Sequence, residues 1–576
     1  MRAGNRQHLA ALALIAGCTV LIYAGGLTNP FHYDDLHSIV ENPHLRSLGN
    51  VPAFFYRPEM FSADPRNAMY RPLVLVSYAI NHAIGGYEVF SYHLFNIGTH
   101  LGVSGLLWLL VRRLGRGQAE ALAAALLFAL HPLASEPVNY ISSRSETLCA
   151  LFLLLAFHGY LVGSRRWLAI GVVAFVAALL TKSVALALLP MLFIYDRWCR
   201  PGGAFRDRWR LQLPYWFLGL VYLVGIREAI GDAVVNHAVR PLGVQWLTQA
   251  KALVYYLKLL WWPQGLSVEH QFSLATGLES APVLGALLLL ATAVLVLSRR
   301  PDGQVRFWTS WAVITLLPSS AVPLNVLVNE HRLYLPLVGF AVLMARLGVG
   351  LAEGRGRAGQ VLVVCWLGVY AGHAAQRTQV WRTPETLWRD AIARGPRMPR
   401  PHLFLADCLQ QSGRYEEALR EYQLTRTVYP AVLSAGDLLI SYNNEGAAYL
   451  ALGRHQEAIE AYRRALTIDP TYTRSRASLD ALVALQQAAW DPTAHALHKQ
   501  GLMLLIKARP AQAVPALEAS LRAQVRLETG LALGMAYEKS GAVAKAREAY
   551  EGLEILAPQS DFARTAATKL RELWGR

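Results

Sequence analysis

Charge is scarce in this chain. Asp, Glu, Lys and Arg make up 16% of its 576 residues and 54% are hydrophobic; a soluble globular protein carries about 25% charged residues. The scarcity argues against an ordinary soluble enzyme, a disordered chain and a small secreted scaffold. Cysteine is scarce too. Cys18, Cys149, Cys199, Cys365 and Cys408 are scattered, odd in number and never form CxxC, so neither a disulfide framework nor a zinc site is expected. GxxxxGK[ST] is absent, which argues against ATP as energy source. The net charge of +16 does not come from a basic stripe interleaved with aromatics, so nucleic acid is not an expected partner.

The shortage of charge is uneven. Residues 1–380 hold 30 Lys+Arg and 18 Asp+Glu; residues 381–576 hold 25 and 21. A membrane region, 1–380, followed by a soluble domain, 381–576, is therefore expected. Apolar runs fall near 9–27, 92–111, 119–133, 148–162, 167–180, 184–195, 211–226, 246–262, 283–297, 307–322, 333–347 and 361–375. Several are shorter than the roughly 20 residues that span a bilayer. The first run has no small-residue cleavage site before the unusual stretch 31–43 and reads as an uncleaved helix. Arg clusters at 112–116, 165–166, 197–210, 299–306 and 346–357 fix the orientation when all are placed in the cytoplasm. This works with eleven crossings, with 246–262 re-entrant or interfacial and 73–84 at the outer surface. The N-terminus is then cytoplasmic and the C-terminal domain extracytoplasmic. Most unusual ionisable residues of the membrane half fall into the outer loops 28–91, 131–146, 181–183, 227–281 and 323–332.

The soluble half repeats. Gly413, Ala418, Tyr422 and Pro430 recur as Gly453, Ala458, Tyr462 and Pro470, and as Gly541, Ala546, Tyr550 and Pro558. Gly446 and Tyr449 precede Gly453 as Gly534 and Tyr537 precede Gly541. A weaker unit, 493–524, has Gly501, Ala508, Ala513 and Leu517. The pattern resembles the tetratricopeptide repeat, a helix–turn–helix unit of about 34 residues. Such arrays stack into a solenoid that binds peptides or proteins. Any chemistry then belongs to the membrane half.

Four groups there draw notice. Asp34 and Asp35, within Phe31-His32-Tyr33-Asp34-Asp35, are either a solvated helix end or a general base at the membrane surface. As a carboxylate pair they also invite a divalent cation, although two acids make a weak metal signal. His131, Glu136, Arg144 and Glu146 crowd one short loop, either as interfacial anchors or as site residues. Lys182 lies in a turn, where it snorkels to headgroups or meets a phosphate. Glu330-His331-Arg332 offers a guanidinium for bidentate phosphate binding, and Arg71 in Tyr70-Arg71-Pro72 is a similar candidate. Carboxylates with several cations close to lipid suit a lipid-phosphate substrate.

Phe31-His32-Tyr33-Asp34-Asp35 with Glu41-Asn42-Pro43, Tyr70-Arg71-Pro72-Leu73, His131-Pro132 with Glu136 and Arg144, Lys182, and Glu330-His331-Arg332-Leu333-Tyr334-Leu335-Pro336 follow one another along the chain. In that order, with the terminal repeats, they resemble the transmembrane and tetratricopeptide-repeat-containing O-mannosyltransferases. The resemblance implies an all-α, polytopic GT-C membrane domain followed by a solenoid. It implies transfer of a sugar, mannose in the eukaryotic relatives, from a polyprenyl-phosphate carrier to an acceptor hydroxyl such as protein Ser or Thr. The base role falls to Asp34 or Asp35. By the same analogy Arg144, Lys182 and Arg332 approach the carrier phosphate, and His131 and Glu136 orient sugar or acceptor. Arg71, Glu146, Glu330, His331 and Tyr334 complete the implied substrate site. The family often has Lys-Glu where this chain has Lys182-Ser183, so no acid acts at 183. The compact loops point to a bacterial inner membrane, with the repeats in the periplasm. A surface-glycan transferase or ligase using the same carrier is the nearest competing reading. A non-enzymatic membrane scaffold is another, but a single helix would suffice as its anchor.

Overall fold

The computed structural model describes residues 2–64, 67–200, 204–227, 240–324, 326–487, 490–557 and 560–574. Pro558 of the third repeat and parts of the outer loops 227–281 and 323–332 lie outside them. The described residues form helices and turns without a strand. They divide into two compact units, Met1–Met398 and Pro399–Arg576.

Each of the twelve apolar runs forms helix in the first unit. They correspond to Arg2–Tyr23, Val89–Arg113, Gln118–Leu130, Arg144–Val162, Arg165–Leu179, Leu188–Cys199, Ala204–Gly225, Leu242–Trp261, Ala281–Arg299, Gly303–Ile314 with Leu317–Ala321, and Tyr334–Val380. The last holds two runs. Gly356 (φ 55°, ψ −133°) breaks it between them, at a backbone conformation open to glycine. Pro72–Gly85 is the short helix expected at 73–84.

Length separates these helices from the expected eleven crossings. Among the described residues five are long and apolar enough to span a membrane: Arg6–Gly26, Val89–Arg113, Ile141–Val162, Ala281–Arg299 and Glu330–Val380. A sixth exists if Gln118–Leu130 and Pro132–Asn139, bent by 54°, form one span. The others fall short for physical reasons. Arg165–Leu179 has 15 residues, about 22 Å of helix against a hydrocarbon core of about 30 Å. Ala204–Gly225 carries Pro214 and opens on charged residues.

Small residues bring these helices together. A Cβ on Gly159 would lie 2.4 Å from the Trp167 carbonyl oxygen and 2.8 Å from Gly171 Cα. That glycine pair lets Arg144–Val162 and Arg165–Leu179 cross at backbone contact, as small residues do between membrane helices.

The composition change near 380 is not the structural boundary. The helix Pro384–Arg394 belongs to the first unit. Arg377 Nη1 donates to Asp390 Oδ2 at 2.6 Å, and Trp388 meets Tyr33 edge-on with ring centroids 5.9 Å apart. The sequence domain therefore extends by one amphipathic helix, to Met398.

The second unit is built of helix pairs: Pro399–Gln411 with Tyr415–Thr427, Ala435–Ala451 with His455–Ile468, Pro492–Ile506 with Pro510–Ala523, and Leu527–Lys539 with Val543–Leu556. Thr473–Gln487 follows the second pair and Asp561–Trp574 the fourth. The repeat residues explain the pairing. A Cβ on Gly446 would lie 2.8 Å from the Tyr462 ring, one on Gly534 2.4 Å from the Tyr550 ring, and one on Gly501 2.4 Å from Leu517. The first helix of a pair thus lies directly against a ring or leucine from the second. The turn glycines Gly413, Gly453 and Gly541 adopt φ of 76°, 71° and 81°. In the weak unit Ala508 takes that position, with φ 55°, which L-residues adopt only at a cost.

Candidate functional site

After the first helix the chain enters a loop of short turns. Asn42, the middle residue of Glu41-Asn42-Pro43, ties this loop together. Its buried Nδ2 donates to the carbonyls of Ser38 (3.1 Å), Met60 (3.1 Å) and Phe61 (3.2 Å). Its Oδ1 accepts from His44 N at 3.0 Å. Leu36–Val40 winds as a π-helix, a rare form found frequently at functional sites. Tyr33 just before it has φ 49°. A non-glycine residue there stores strain that its surroundings must over-determine. Those surroundings are the Trp388 ring and the anchor on its neighbour: His32 Nε2 donates to the Trp381 carbonyl at 2.7 Å.

The two acids that follow are treated differently. Asp35 is fully buried. Its Oδ2 accepts from His32 N at 2.9 Å. Its Oδ1 accepts from Ser142 N at 2.7 Å and Ser142 Oγ at 2.5 Å. Burial nevertheless outweighs these donors and raises its pKa to about 7. Burial likewise lowers the His32 pKa to about 4, so that imidazole is neutral. Asp34 keeps 42% of its side chain exposed. Its backbone N donates to Tyr140 Oη at 3.1 Å, and its Oδ1 lies 3.4 Å from His37 Nε2. The pair does not fit the divalent cation that its sequence invites. Both Asp35 oxygens already accept from protein donors, and the carboxyl is sealed from solvent.

A second group gathers at the ends of distant helices. Lys182 Nζ is bonded to Glu146 Oε1. His331 Nδ1 lies 2.8 Å from Glu136 Oε1, and His331 Nε2 lies 3.8 Å from Glu146 Oε1. Lys182, Arg332 and Arg71 all act electrostatically on His331. Arg332 donates to the carbonyls of Val326 (2.9 Å) and Leu327 (3.3 Å). Arg71 reaches Ser145 Oγ at 3.4 Å and stands over the Phe61 ring. Glu330 Oε1 accepts from Ser267 N and lies 3.1 Å from His270 Nε2. Glu136 Oε2 and Glu330 Oε2 are buried without a hydrogen-bond partner among the described residues. Glu136, Glu146, Lys182, His331, Arg332 and Arg71 are thus brought together from four separate stretches of chain.

Three expected site residues stand apart from this group. Arg144 is fully buried. Its Nε donates to Asn96 Oδ1 (2.7 Å), Nη1 to Asn81 Oδ1 (2.6 Å) and Ser77 Oγ (3.1 Å), and Nη2 to the Tyr92 carbonyl (2.9 Å). Its guanidinium also faces the rings of Phe95, Tyr78 and Tyr92. A cation so enclosed holds helices together and has no open side for a phosphate. His131 is buried as well, with Nε2 donating to the Leu260 carbonyl at 3.1 Å and Nδ1 accepting from Leu133 N at 3.2 Å. Tyr334 is buried with its hydroxyl 2.7 Å from His100 Nδ1.

Sequence reasoning did not single out His32, Ser142 and Tyr140, which hold the acids, or Ser267 and His270, which hold Glu330. Ser142 lies inside the loop that carries Glu136 and Arg144, and that crowding of polar residues was the available signal. Nothing in the sequence pairs His270 with Glu330.

A tetratricopeptide-repeat family model matches residues 398–471. The chain is 25% identical over 492 residues to the human protein O-mannosyl-transferase TMTC1, covering 74% of this chain and 56% of that protein. It is 24% identical over 519 residues to human TMTC3, covering 80% and 55%. To Drosophila melanogaster Tmtc3 it is 26% identical over 565 residues, covering 81% and 59%. The chain therefore spans little more than half the length of these relatives. Among solved structures it matches the crystal structure of the P58(IPK) TPR domain, covering 74% of this chain and 89% of that one, at 12% identity and a TM-score of 0.23. A score that low carries no argument. In its ordered motifs, apolar helices and terminal repeats the chain is similar to the TMTC protein O-mannosyl-transferases.

Proposed function

We propose that the chain is a GT-C-type glycosyltransferase that moves mannose from a polyprenyl-phosphate carrier to a Ser or Thr hydroxyl of an acceptor protein, with Asp34 as general base. The observation that carries this choice of base is the contrast between the two acids. A base must reach the proton it removes. Asp34 is 42% exposed, whereas both oxygens of Asp35 are occupied by His32 and Ser142. Asp35 acts as the clamp that fixes the backbone beneath Asp34. The naming of the relatives as protein O-mannosyl-transferases supports the reaction class.

In the proposed reaction the acceptor oxygen attacks the anomeric carbon as the bond from that carbon to the carrier phosphate oxygen breaks. The hydroxyl proton passes to Asp34, and the configuration inverts. Lys182, Arg71 and Arg332 stabilise the charge on the departing phosphate, an electrostatic contribution to the transition state. Lys182 exchanges its bond to Glu146 for one to the phosphate. Glu136 and Glu330, each with an oxygen lacking a partner among the described residues, receive sugar or acceptor hydroxyls. The loops bearing these residues face the extracytoplasmic side, and the repeats bind the acceptor protein.

The test compares Asp34→Asn with Asp35→Asn in the full chain in nanodiscs. Asp34→Asn should lower kcat by about 10²–10⁴-fold at unchanged thermal stability. Asp35→Asn should lower stability as well. Full turnover by Asp34→Asn would remove it as the base.

A further inference from the structure

We propose that His37 is a positioning residue for Asp34, with its tautomer set by Ser62. The proposal rests on the reading of Asp34 as base. His37 lies three residues after Asp34, inside the π-helix, with its side chain 26% exposed. Its Nε2 is 3.4 Å from Asp34 Oδ1, and its Nδ1 is 3.0 Å from Ser62 Oγ. Ser62 is buried, and its Oγ accepts from Asp64 N at 3.0 Å. Ala63 N donates to the His37 carbonyl at 2.8 Å, so segment 62–64 grips His37 by both backbone and side chain.

The donors run in one direction. Asp64 N–H donates to Ser62 Oγ. In the proposed arrangement the Ser62 hydroxyl donates its own proton to His37 Nδ1, 3.0 Å away. A neutral imidazole accepting at Nδ1 carries its proton on Nε2, on the side facing Asp34. There it faces Oδ1 across 3.4 Å, while Tyr140 Oη accepts from the Asp34 backbone N at 3.1 Å. The residue is thereby fixed at its backbone by Tyr140 and faced at its carboxylate by His37, and 42% of its side chain stays exposed to an acceptor. The arrangement has the logic of a base oriented by a neighbour whose own tautomer is fixed by a third group, with the histidine here as orienter and the carboxylate as base.

Holding the base in a productive orientation acts on kcat and leaves donor binding alone. His37→Ala should lower kcat about 10–100-fold at an unchanged KM for the carrier-linked sugar. His37→Gln keeps an N–H donor of similar reach and should recover most of that loss. A side chain that only supports the fold would affect stability and KM, and glutamine would not rescue it selectively.

The deciding experiment needs no turnover. The full chain, labelled with 15N-histidine and placed in nanodiscs, is examined by NMR above neutral pH, with His37→Gln identifying the signal. Wild type should show one tautomer, protonated at Nε2. Ser62→Ala should mix the Nδ1-protonated form into it. A wild-type His37 protonated at Nδ1, or a tautomer indifferent to Ser62→Ala, overturns the proposal. So does full kcat in His37→Ala. If no carrier-linked sugar is turned over by wild type, the reaction assignment fails. The orientation of His37 toward Asp34 is then judged by the tautomer alone.

Discussion

Asp35 should make the first loop less stable as pH rises from about 4 to about 7. Its ordinary pKa is 3.8, and in the fold burial raises it to about 7. The native state therefore holds a proton more tightly than the unfolded chain does. Between those values the folded state binds more protons, so stability falls as pH rises. The contribution is fully present below about 4 and lost on passing through about 7. A gap of roughly 3 units at about 1.4 kcal/mol per unit sets an upper limit of about 4 kcal/mol. The assay must be local, because other carboxylates lose favourable partners in acid. Amide hydrogen exchange at His32 and Ser142 is suitable, since both N–H groups donate to this carboxyl. After correction for the intrinsic pH dependence of exchange, their protection should fall from pH 4 to pH 7. Asp35→Asn should remove that slope, with a pH-independent loss of about 1–3 kcal/mol from a mismatched donor. Flat protection in the wild type, or the same slope in Asp35→Asn, would refute the reasoning.

Other perturbations separate structure from chemistry. Arg144→Gln should cost about 3–5 kcal/mol of stability, because it breaks a buried, fully bonded cation; a thermal melt checks this, and intact stability with a raised KM would return Arg144 to the phosphate site. Ala508→Gly should protect the turn between Pro492–Ile506 and Pro510–Ala523 by about 1 kcal/mol, read by hydrogen exchange, because it relieves a left-handed alanine. Gly534→Ala should destabilise the fourth helix pair by about 1–3 kcal/mol, since its new Cβ meets the Tyr550 ring at 2.4 Å; combined with Tyr550→Ala the cost should be less than additive.

The sequence was informative where structure depends on near neighbours. All twelve apolar runs became helix, because hydropathy and helix formation are both local. Even the division of 333–375 into two runs reflects a real break, at Gly356. The repeat spacing carried the contact between Gly534 and Tyr550, because a fixed period places the same small residue against the same ring. Crossing number does not follow from composition alone, since a 15-residue apolar helix has the composition of a span and not its length. The structural division at Met398 lies beyond the composition change for a related reason. Composition reports solvent exposure, and the amphipathic helix Pro384–Arg394 is polar on one side while its Leu387, Trp388 and Ala391 are buried.

At the site, residue types were legible and partners were not. Arg144 looked like a phosphate ligand because it is a cation among loop acids. Its partners Asn96, Asn81 and Ser77 are ordinary polar residues in other helices. Glu136 and His331 are 195 positions apart, and only the fold pairs them. Asp34 and Asp35 are neighbours of identical chemistry. What distinguishes them is Ser142, more than a hundred residues away.

The central claim is tested most directly by offering the purified full chain a polyprenyl-phosphate carrier with radiolabelled mannose and extracted envelope proteins, beside the Asp34→Asn variant. Label should pass to protein with the wild type and fall to background with the variant. Turnover of no carrier-linked sugar, whether mannose or glucose, by a folded wild-type chain would contradict the account.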